Sequence, residues 1–463
     1  NALLHKLSAF FANAPLQTVR IRDGLIETAI GTPLLKKLDL RVNMRGTDDA
    51  LRASGSFSFN GEDVVFAFDR EGTATDAQGD SAPVTAKVTS TPLTARFSGK
   101  MFTSGDIDGS GELEADLPDI RRLLAWIGVG LPRGDSLQNA SANGQVHWTS
   151  STLTFDDGTF EVDGNEAVGL LAITLGERPR VDGTLAFETL ILDPYLPDFE
   201  PDPSKSDIFD WVLLKHLDAD LRLSAAELTA RDFKLGGGGF TVTARDGVIS
   251  SDVGALEICD GYADGRLDLD LSARRTKASL KGRIANADAE PCLKSLGFEL
   301  PVTGSSTVSV DITTGGKSRE QLVRGLAGTI SIAAQNGSLP VDLTGLLAEP
   351  NAHSSGWSRE VGTPYSEVKA DCSLSAGHLW CQSFQMTTSK GVIAGAGDLD
   401  IADQTLDWDL QMTDGKDLAD TAGAEAPAAP EITINGLLAA PSIATVSQTK
   451  PQAETPELET EQE

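Results

Sequence analysis

Apolar and polar residues alternate along most of this chain with a period of two. Val308, Val310 and Ile312 stand against Ser309 and Asp311, and Ile330 and Ile332 repeat the pattern. The same alternation recurs at Val19/Ile21, Phe57/Phe59, Val64/Phe66/Phe68, Leu185/Phe187, Leu267/Leu269/Leu271, Leu399/Ile401 and Leu406/Trp408/Leu410. Side chains of a strand point alternately to its two faces, so each run predicts a strand with one apolar and one wet side. Asp-Gly or Asn-Gly steps stand between the runs, at Asp23, Asn60, Asp157, Asp182, Asp246, Asp260, Asn336 and Asn435. Such steps predict two-residue hairpin turns. The second strand of the best-patterned stretch is accordingly expected to end at Asn336-Gly337. Antiparallel sheet with one solvated face follows. A parallel sheet with crossover helices is excluded, because few segments have room for them.

Short helices interrupt the strands. Pro118 to Trp126 carries Pro in its expected first turn, with Ile120, Leu123, Leu124 and Ile127 on one face. Ala289 to Leu296 and Leu343 to Ala348 read as further turns of helix, and Asp207 to His216 as another. In Ser318 to Ala327, Ser318 and Gln321 form a capping box, and Gly328 suits the position after the helix. Helices this short do not stand alone and are expected to plug a sheet end or cover an edge. Leu192 to Lys205 is rich in Pro and acid and reads as a linker or long loop. Ile432, Ile434 and Leu437 form an expected final strand, and the tail beyond Ser447 reads as disordered.

The net charge of −30 changes the picture first. A polyanion repels nucleic acid and anionic membrane surfaces, so nucleic-acid binding is ruled out. No run of about eighteen apolar residues occurs, and no transmembrane helix is expected within the chain. The chain starts at Asn1 with a short apolar-rich stretch carrying Lys6, as expected of a chain whose signal or anchor has been removed.

Four cysteines come next. If Ala376-Gly377 turn a hairpin, Cys372 falls opposite Cys381 in a close cross-strand pair suited to a disulfide. Its small loop contributes about 2–3 kcal/mol in the chain-entropy view. Cys259 and Cys292 remain as a second candidate pair. There is no CxxC and no His at ligand spacing, which speaks against zinc. An oxidising compartment such as a bacterial periplasm is expected; buried reduced thiols remain the alternative.

Candidate chemistry is thin. The histidines 5, 147, 216, 353 and 378 are scattered, with no HExxH and no GxSxG serine. Gly236 to Gly239 lacks the Lys-Ser/Thr and helix of a phosphate loop and reads as a turn or bulge. Asp106, Asp108, Ser110, Gly111 and Glu112 match the early positions of a calcium loop, but Leu117 stands where the bidentate acid is required, so a turn between strands is expected. Paired carboxylates for glycoside hydrolysis cannot be located, and no aromatic cluster marks a sugar cleft. No catalytic residue, metal or cofactor is expected. What is left is the apolar sheet face. Patterning alone reads it either as sandwich core beneath a second sheet or as the lining of an open groove.

Several stretches resemble the AsmA family of the Gram-negative envelope. They are ADLPDIRRLLAWIGVGLP from Ala115, GLLAITLGERPRVDGTLAFETLILDPYLP from Gly169, CDGYADGRLDLDL from Cys259, the long match Leu280 to Leu339, and INGLLAAPSI from Ile434, read as the terminal strand. Ala263 departs from the family's usual glycine. The resemblance implies a long, curved, mostly antiparallel β-sheet forming an open groove with a few short capping helices. It implies a periplasmic chain held at the inner membrane by an N-terminal helix that this chain lacks. It implies phospholipids as ligands, other envelope proteins as partners, and a role in lipid movement or outer-membrane homeostasis. Leu267, Leu269, Leu271, Val308, Val310, Ile312, Ile330 and Ile332 are then the candidate lipid-facing residues. The expected organisation is an N-terminal part of the groove (1–197), a linker (198–206), a C-terminal groove region (207–446) and an acidic tail (447–463). A closed-core scaffold without lipid carriage is the rival reading.

Overall fold

The computed structural model describes residues 18–27, 33–45, 50–76, 79–102, 108–128, 136–176, 178–196, 217–230, 233–272, 275–295, 300–348, 352–358, 360–413 and 431–446. The expected helix at 207–216, the linker at 198–206, the start of the calcium-like loop at Asp106 and the tail beyond 446 lie outside these residues. Two compact units emerge: Asn1–Leu256 with Arg266–Lys277, and Glu257–Gly265 with Ala278–Glu463.

The first unit is built from β1 (Thr18–Glu27), β2 (Pro33–Arg45), β3 (Ala50–Phe59), β4 (Glu62–Arg70), β5 (Ala74–Asp76), β6 (Gly79–Thr89), β7 (Thr94–Phe102), β8 (Asp108–Leu117), helix α1 (Ile120–Trp126), β9 (Ala140–Trp148), β10 (Thr152–Val162), β11 (Asn165–Thr174), β12 (Arg180–Ile191), β13 (Asp218–Ala230), β14 (Phe233–Leu235), β15 (Gly238–Arg245) and β16 (Val248–Ile258). The boundary between units passes through β17 (Gly261–Asp270) and β18 (Thr276–Asp288). The second unit continues with α2 (Ala289–Ser295), β19 (Thr303–Gly316), α3 (Arg319–Arg324), β20 (Ala327–Leu339), α4 (Leu343–Leu346), β21 (His353–Ser355), β22 (Thr363–Ser375), β23 (His378–Thr388), β24 (Gly391–Asp400), β25 (Thr405–Thr413), β26 (Glu431–Leu437) and β27 (Ala440–Val446).

Neighbours in sequence mostly pair antiparallel, as the alternation predicts. The first unit runs β1-β2-β3-β4-β6-β7-β8-β9-β10-β11-β12-β13-β15-β16, and the second runs β19-β20-β22-β23-β24-β25-β26-β27-β21. Among the described residues, neither series closes on itself. The fold class is therefore an open, mostly antiparallel sheet with a few short helices.

One pair is the exception within the mostly antiparallel sheet. β12 and β13 are parallel, from Arg180 opposite Asp218 to Ile191 opposite Thr229. A parallel neighbour needs a long return connection. Here that connection contains the acid- and Pro-rich stretch read as a linker.

The Asp-Gly and Asn-Gly steps also divide differently from the expectation. Asn60-Gly61 and Asp246-Gly247 are hairpin turns. Near Asp260 the turn is Cys259-Asp260, one residue earlier. Asp23-Gly24, Asp157-Gly158 and Asn336-Gly337 instead sit at register shifts inside β1, β10 and β20, while Asp182-Gly183 and Asn435-Gly436 pair within β12 and β26. A bulge can use the same positive-φ residue as a primed turn, so the dipeptide alone does not distinguish them. β20 thus continues through Asn336 to Leu339 rather than ending there. Likewise β24 ends at Asp400, leaving Ile401 in a turn, and the expected final strand is a hairpin of β26 and β27.

The helices are shorter than predicted. In α3 Ser318 is the cap, its Oγ accepting from Gln321 N at 3.3 Å, while Gln321 Oε1 accepts from Lys317 N at 3.0 Å. The helix stops at Arg324 because Gly325 caps it and Ala327 already pairs with Thr313. Gly328 is a strand residue with φ +147°, backed directly onto the Asp311 carbonyl with no room for a side chain. In α1 the cap is Asp119, so Pro118 precedes the helix instead of opening it. Trp126 Nε1 donates to Phe59 O at 2.6 Å, and Arg122 pairs with Glu62 at 2.5 Å, holding α1 at the β3–β4 turn.

Asp163, in the β10–β11 turn, gathers three separate groups. Its carboxylate accepts from Leu137 N and Gln138 N, both at 2.6 Å, and from Tyr195 Oη at 2.9 Å. Burial, followed by this hydrogen bond and the nearby charge, keeps the Tyr195 phenol protonated well above its ordinary range. Hydrogen bonds to a charged acceptor are the stronger kind. Asp163→Ala is expected to cost about 2–3 kcal/mol, read as a lower urea midpoint at unchanged slope.

Candidate functional site: an apolar sheet face

Directly opposed residues in a sheet share a face. Following the register across the first unit therefore traces rows perpendicular to the strands. One row reads Val19, Val42, Ala53, Phe68, Ala86, Phe97, Leu113, Gly144, Gly158, Gly169, Leu185, Leu223, Phe240 and Val253, crossing fourteen strands without a polar side chain. The adjacent row runs from Ile21 and Leu40 through Gly55, Phe66, Val88, Ala95, Ala115, Ala142, Phe160, Ala167, Phe187, Ala225 and Gly238 to Leu256, again wholly apolar. At about 4.8 Å per strand, each row follows about 60 Å of sheet.

Burial separates the two readings left open by the pattern. Beneath a second sheet such residues would be buried. Instead Ala53, Phe68, Ala86, Phe97, Leu113, Leu185, Leu223 and Phe240 are all only half-buried. Among the described residues there is no separate second sheet, since every strand belongs to the same one. A local cluster of Val146, Phe155 and Phe160 is buried, with Phe155 and Phe160 edge-to-face at 5.2 Å. Phe160 lies along the sheet over Gly158, and a Cβ there would enter the ring. The Gly-x-Phe spacing was the sequence signal for this, and period-two counting passes over it.

The second unit repeats the arrangement. Val308 faces Ile332 and Val310 faces Ile330, while Ile312 faces Gly328. All five of these apolar residues are half-buried, and Ser309, Asp311, Thr313, Thr329 and Ser331 between them are exposed. Leu267, Leu269 and Leu271 belong to the first unit, where Leu267 is half-buried and Leu269 and Leu271 are 3% and 5% exposed.

The cysteines lie in the second unit. Cys372 is opposite Cys381, with Ser375 opposite His378 and positive φ at Ala376 and Gly377. The two sulfurs are bonded, and both residues are buried on the apolar face among Ala370, Ile332, Phe384 and Trp408. Cys259 is bonded to Cys292, fixing α2 beside the turn that precedes β17. Asp288 N donates to Cys259 O at 2.7 Å in the same corner.

The opposite face carries most of the charged residues, several of them in ion pairs. A depression of about 690 Å³ over β3–β9 lies on this side, lined by Arg52, Asp69, Lys87, Arg96, Glu112 and Glu114. Arg52 pairs with Asp69, and Arg96 with Glu114 at 3.4 Å. Two ion pairs thus lie within its lining, which also takes in Ala53, Phe68, Ala86 and Phe97 of the first apolar row. Arg178 bonds Asp218 at 2.5 Å and holds that carboxyl below its usual range. His378 lies 3.0 Å from Asp398 and 3.6 Å from Asp400, and the Asp398 hydrogen bond raises its pKa. No group of three metal-ligating side chains converges among the described residues, and no described helix is long and apolar enough to cross a membrane.

Residues 202–384 match the model of the AsmA family. No curated protein and no solved structure matches the chain.

Proposed function

We propose, from the premise that this chain belongs through residues 202–384 to the AsmA family, that it carries phospholipid acyl chains on the apolar face of its sheet. The family is one of envelope lipid transport and not of enzymes. The observation that carries the reading is the pair of unbroken apolar rows across fourteen strands, most of whose side chains are only half-buried while Val42, Phe160, Ala167 and Ala225 are buried. A peptide or a sugar would need hydrogen-bond partners, and these rows offer no side chain to supply them. Hydrocarbon needs none. Each CH₂ moved from water onto such a face contributes about 0.8 kcal/mol. Headgroups stay in water, so the protein acts as a passive conduit or store in support of outer-membrane assembly and homeostasis.

Two disulfides and the family fit a periplasmic setting. Attachment to the inner membrane through a preceding helix belongs to the same proposal, as do partner proteins in the envelope.

Native mass spectrometry of the purified chain tests the proposal. Co-purified phospholipid, exchangeable for a fluorescent analogue, is the expected result. A lipid-free spectrum together with no uptake overturns the proposal.

A further inference from the structure

The apolar face of the second unit changes character along its length. At β19 and β20 its residues are half-buried. The row through Val308 and Ile332 continues to Ala370, Phe384, Gly395, Leu410 and Ile432. Along it burial becomes complete: Leu410 is 2% exposed and Ile432 is 0% exposed. The next row passes through Val310, Ile330, Cys372, Cys381, Gly397 and Trp408 to Ile434 and Ile443, ending the same way.

A piece of the same chain does the covering. After β20, Val341, Leu343 and Leu347 turn onto this face, and Leu343 is 0% exposed among Met386, Ile393 and Ile443. Buried polar contacts fix that segment. Leu343 N donates to Thr363 Oγ1 at 2.8 Å, and Thr363 Oγ1 donates to Val341 O at 2.6 Å. Beyond it Trp357 Nε1 donates to Leu438 O at 2.7 Å, and β21 adds to β27. At the border between open and covered face, Phe384 and Trp408 meet edge-to-face at 5.5 Å beside the Cys372–Cys381 bond.

We infer that this border is an end wall: acyl chains occupy the face at β19 and β20 and stop at Phe384, Trp408 and the disulfide. The inference rests on the lipid reading above and adds to it a terminus. Transfer at this end of the second unit then requires the chain to leave sideways from the sheet, because the apolar rows beyond the border are already covered by the Leu343 segment.

Photoreactive side chains placed singly at Val310, Ile330 and Leu346 test this in the full chain, purified with its native lipid. Lipid adducts are expected at Val310 and Ile330 and to be absent at Leu346, which packs against the covered core. An adduct at Leu346 overturns the end wall and leaves the lipid reading standing. Lipid in the mass spectrum without adducts at Val310 and Ile330 overturns it equally. No adduct and no lipid anywhere overturns both. A chain keeping Trp357 and Trp408 and carrying Phe at its other tryptophans, loaded with phospholipid brominated at the acyl ends, gives a second readout. Partial quenching that disappears on Val310→Asp is expected, and lipid-loaded protein without any quenching overturns the wall.

Discussion

Val310→Asp is expected to lower the number of phospholipids that co-purify, by emptying the apolar face of the second unit, while leaving the fold intact. Val310 is half-buried, so an ionised carboxylate there retains its water as long as the face is empty. An acyl chain laid over it would strip that water, at a cost of several kcal/mol that outweighs the contribution of a few CH₂ groups. Ile332→Asp, one position along the neighbouring row, should behave alike. Ser309→Asp is the control, since Ser309 is exposed on the opposite face. It should leave lipid occupancy unchanged. Under the rival reading, a closed sandwich core, Val310→Asp would instead unfold the protein by stranding a buried charge. Urea unfolding and native mass spectra of the same three variants distinguish the two: lost lipid with a kept midpoint supports the groove, and a collapsed midpoint supports the closed core.

The strand pattern was legible because period-two alternation depends on nothing outside the strand. Val308 opposite Ile332 follows from adjacent runs joined by a short helix, and Cys372 opposite Cys381 follows from counting outward from Ala376-Gly377. The parallel return at β12 and β13 was not legible, because its signal is spatial: a long polar connection looks the same whether it links domains or brings a strand back. The distinction between turn and bulge at Asn336 failed for a similar reason. Its φ of +51° suits either, and only the partner strand β22 decides that β20 runs on. The covered end was read merely as one more turn of helix at Leu343. What buries that turn comes from β24, β26 and β27, up to about a hundred residues downstream, and no local pattern reports them.

That distant dependence makes the Leu343 segment the place where one truncation should cost most. Leu343→Ala removes a side chain with 0% exposure from among Met386, Ile393 and Ile443. Ala is the best helix former, and the Asp342 cap, which accepts from Gly345 N at 2.8 Å, is untouched. The loss is therefore packing alone, about 3 kcal/mol by comparison with other buried Leu→Ala changes. Leu346→Ala, on the same turn but only half-buried, should cost less than half as much. Denaturant midpoints measured at constant slope check both values. The Leu343 cavity also bears on the end wall. If the segment is what stops an acyl chain, thinning it at Leu343 should let lipid adducts reach a photoreactive group at Leu346 that is silent in the parent chain. If adduct formation at Leu346 stays absent although the midpoint has fallen, then the Phe384–Trp408 pair and the disulfide hold the border without help from the segment above them.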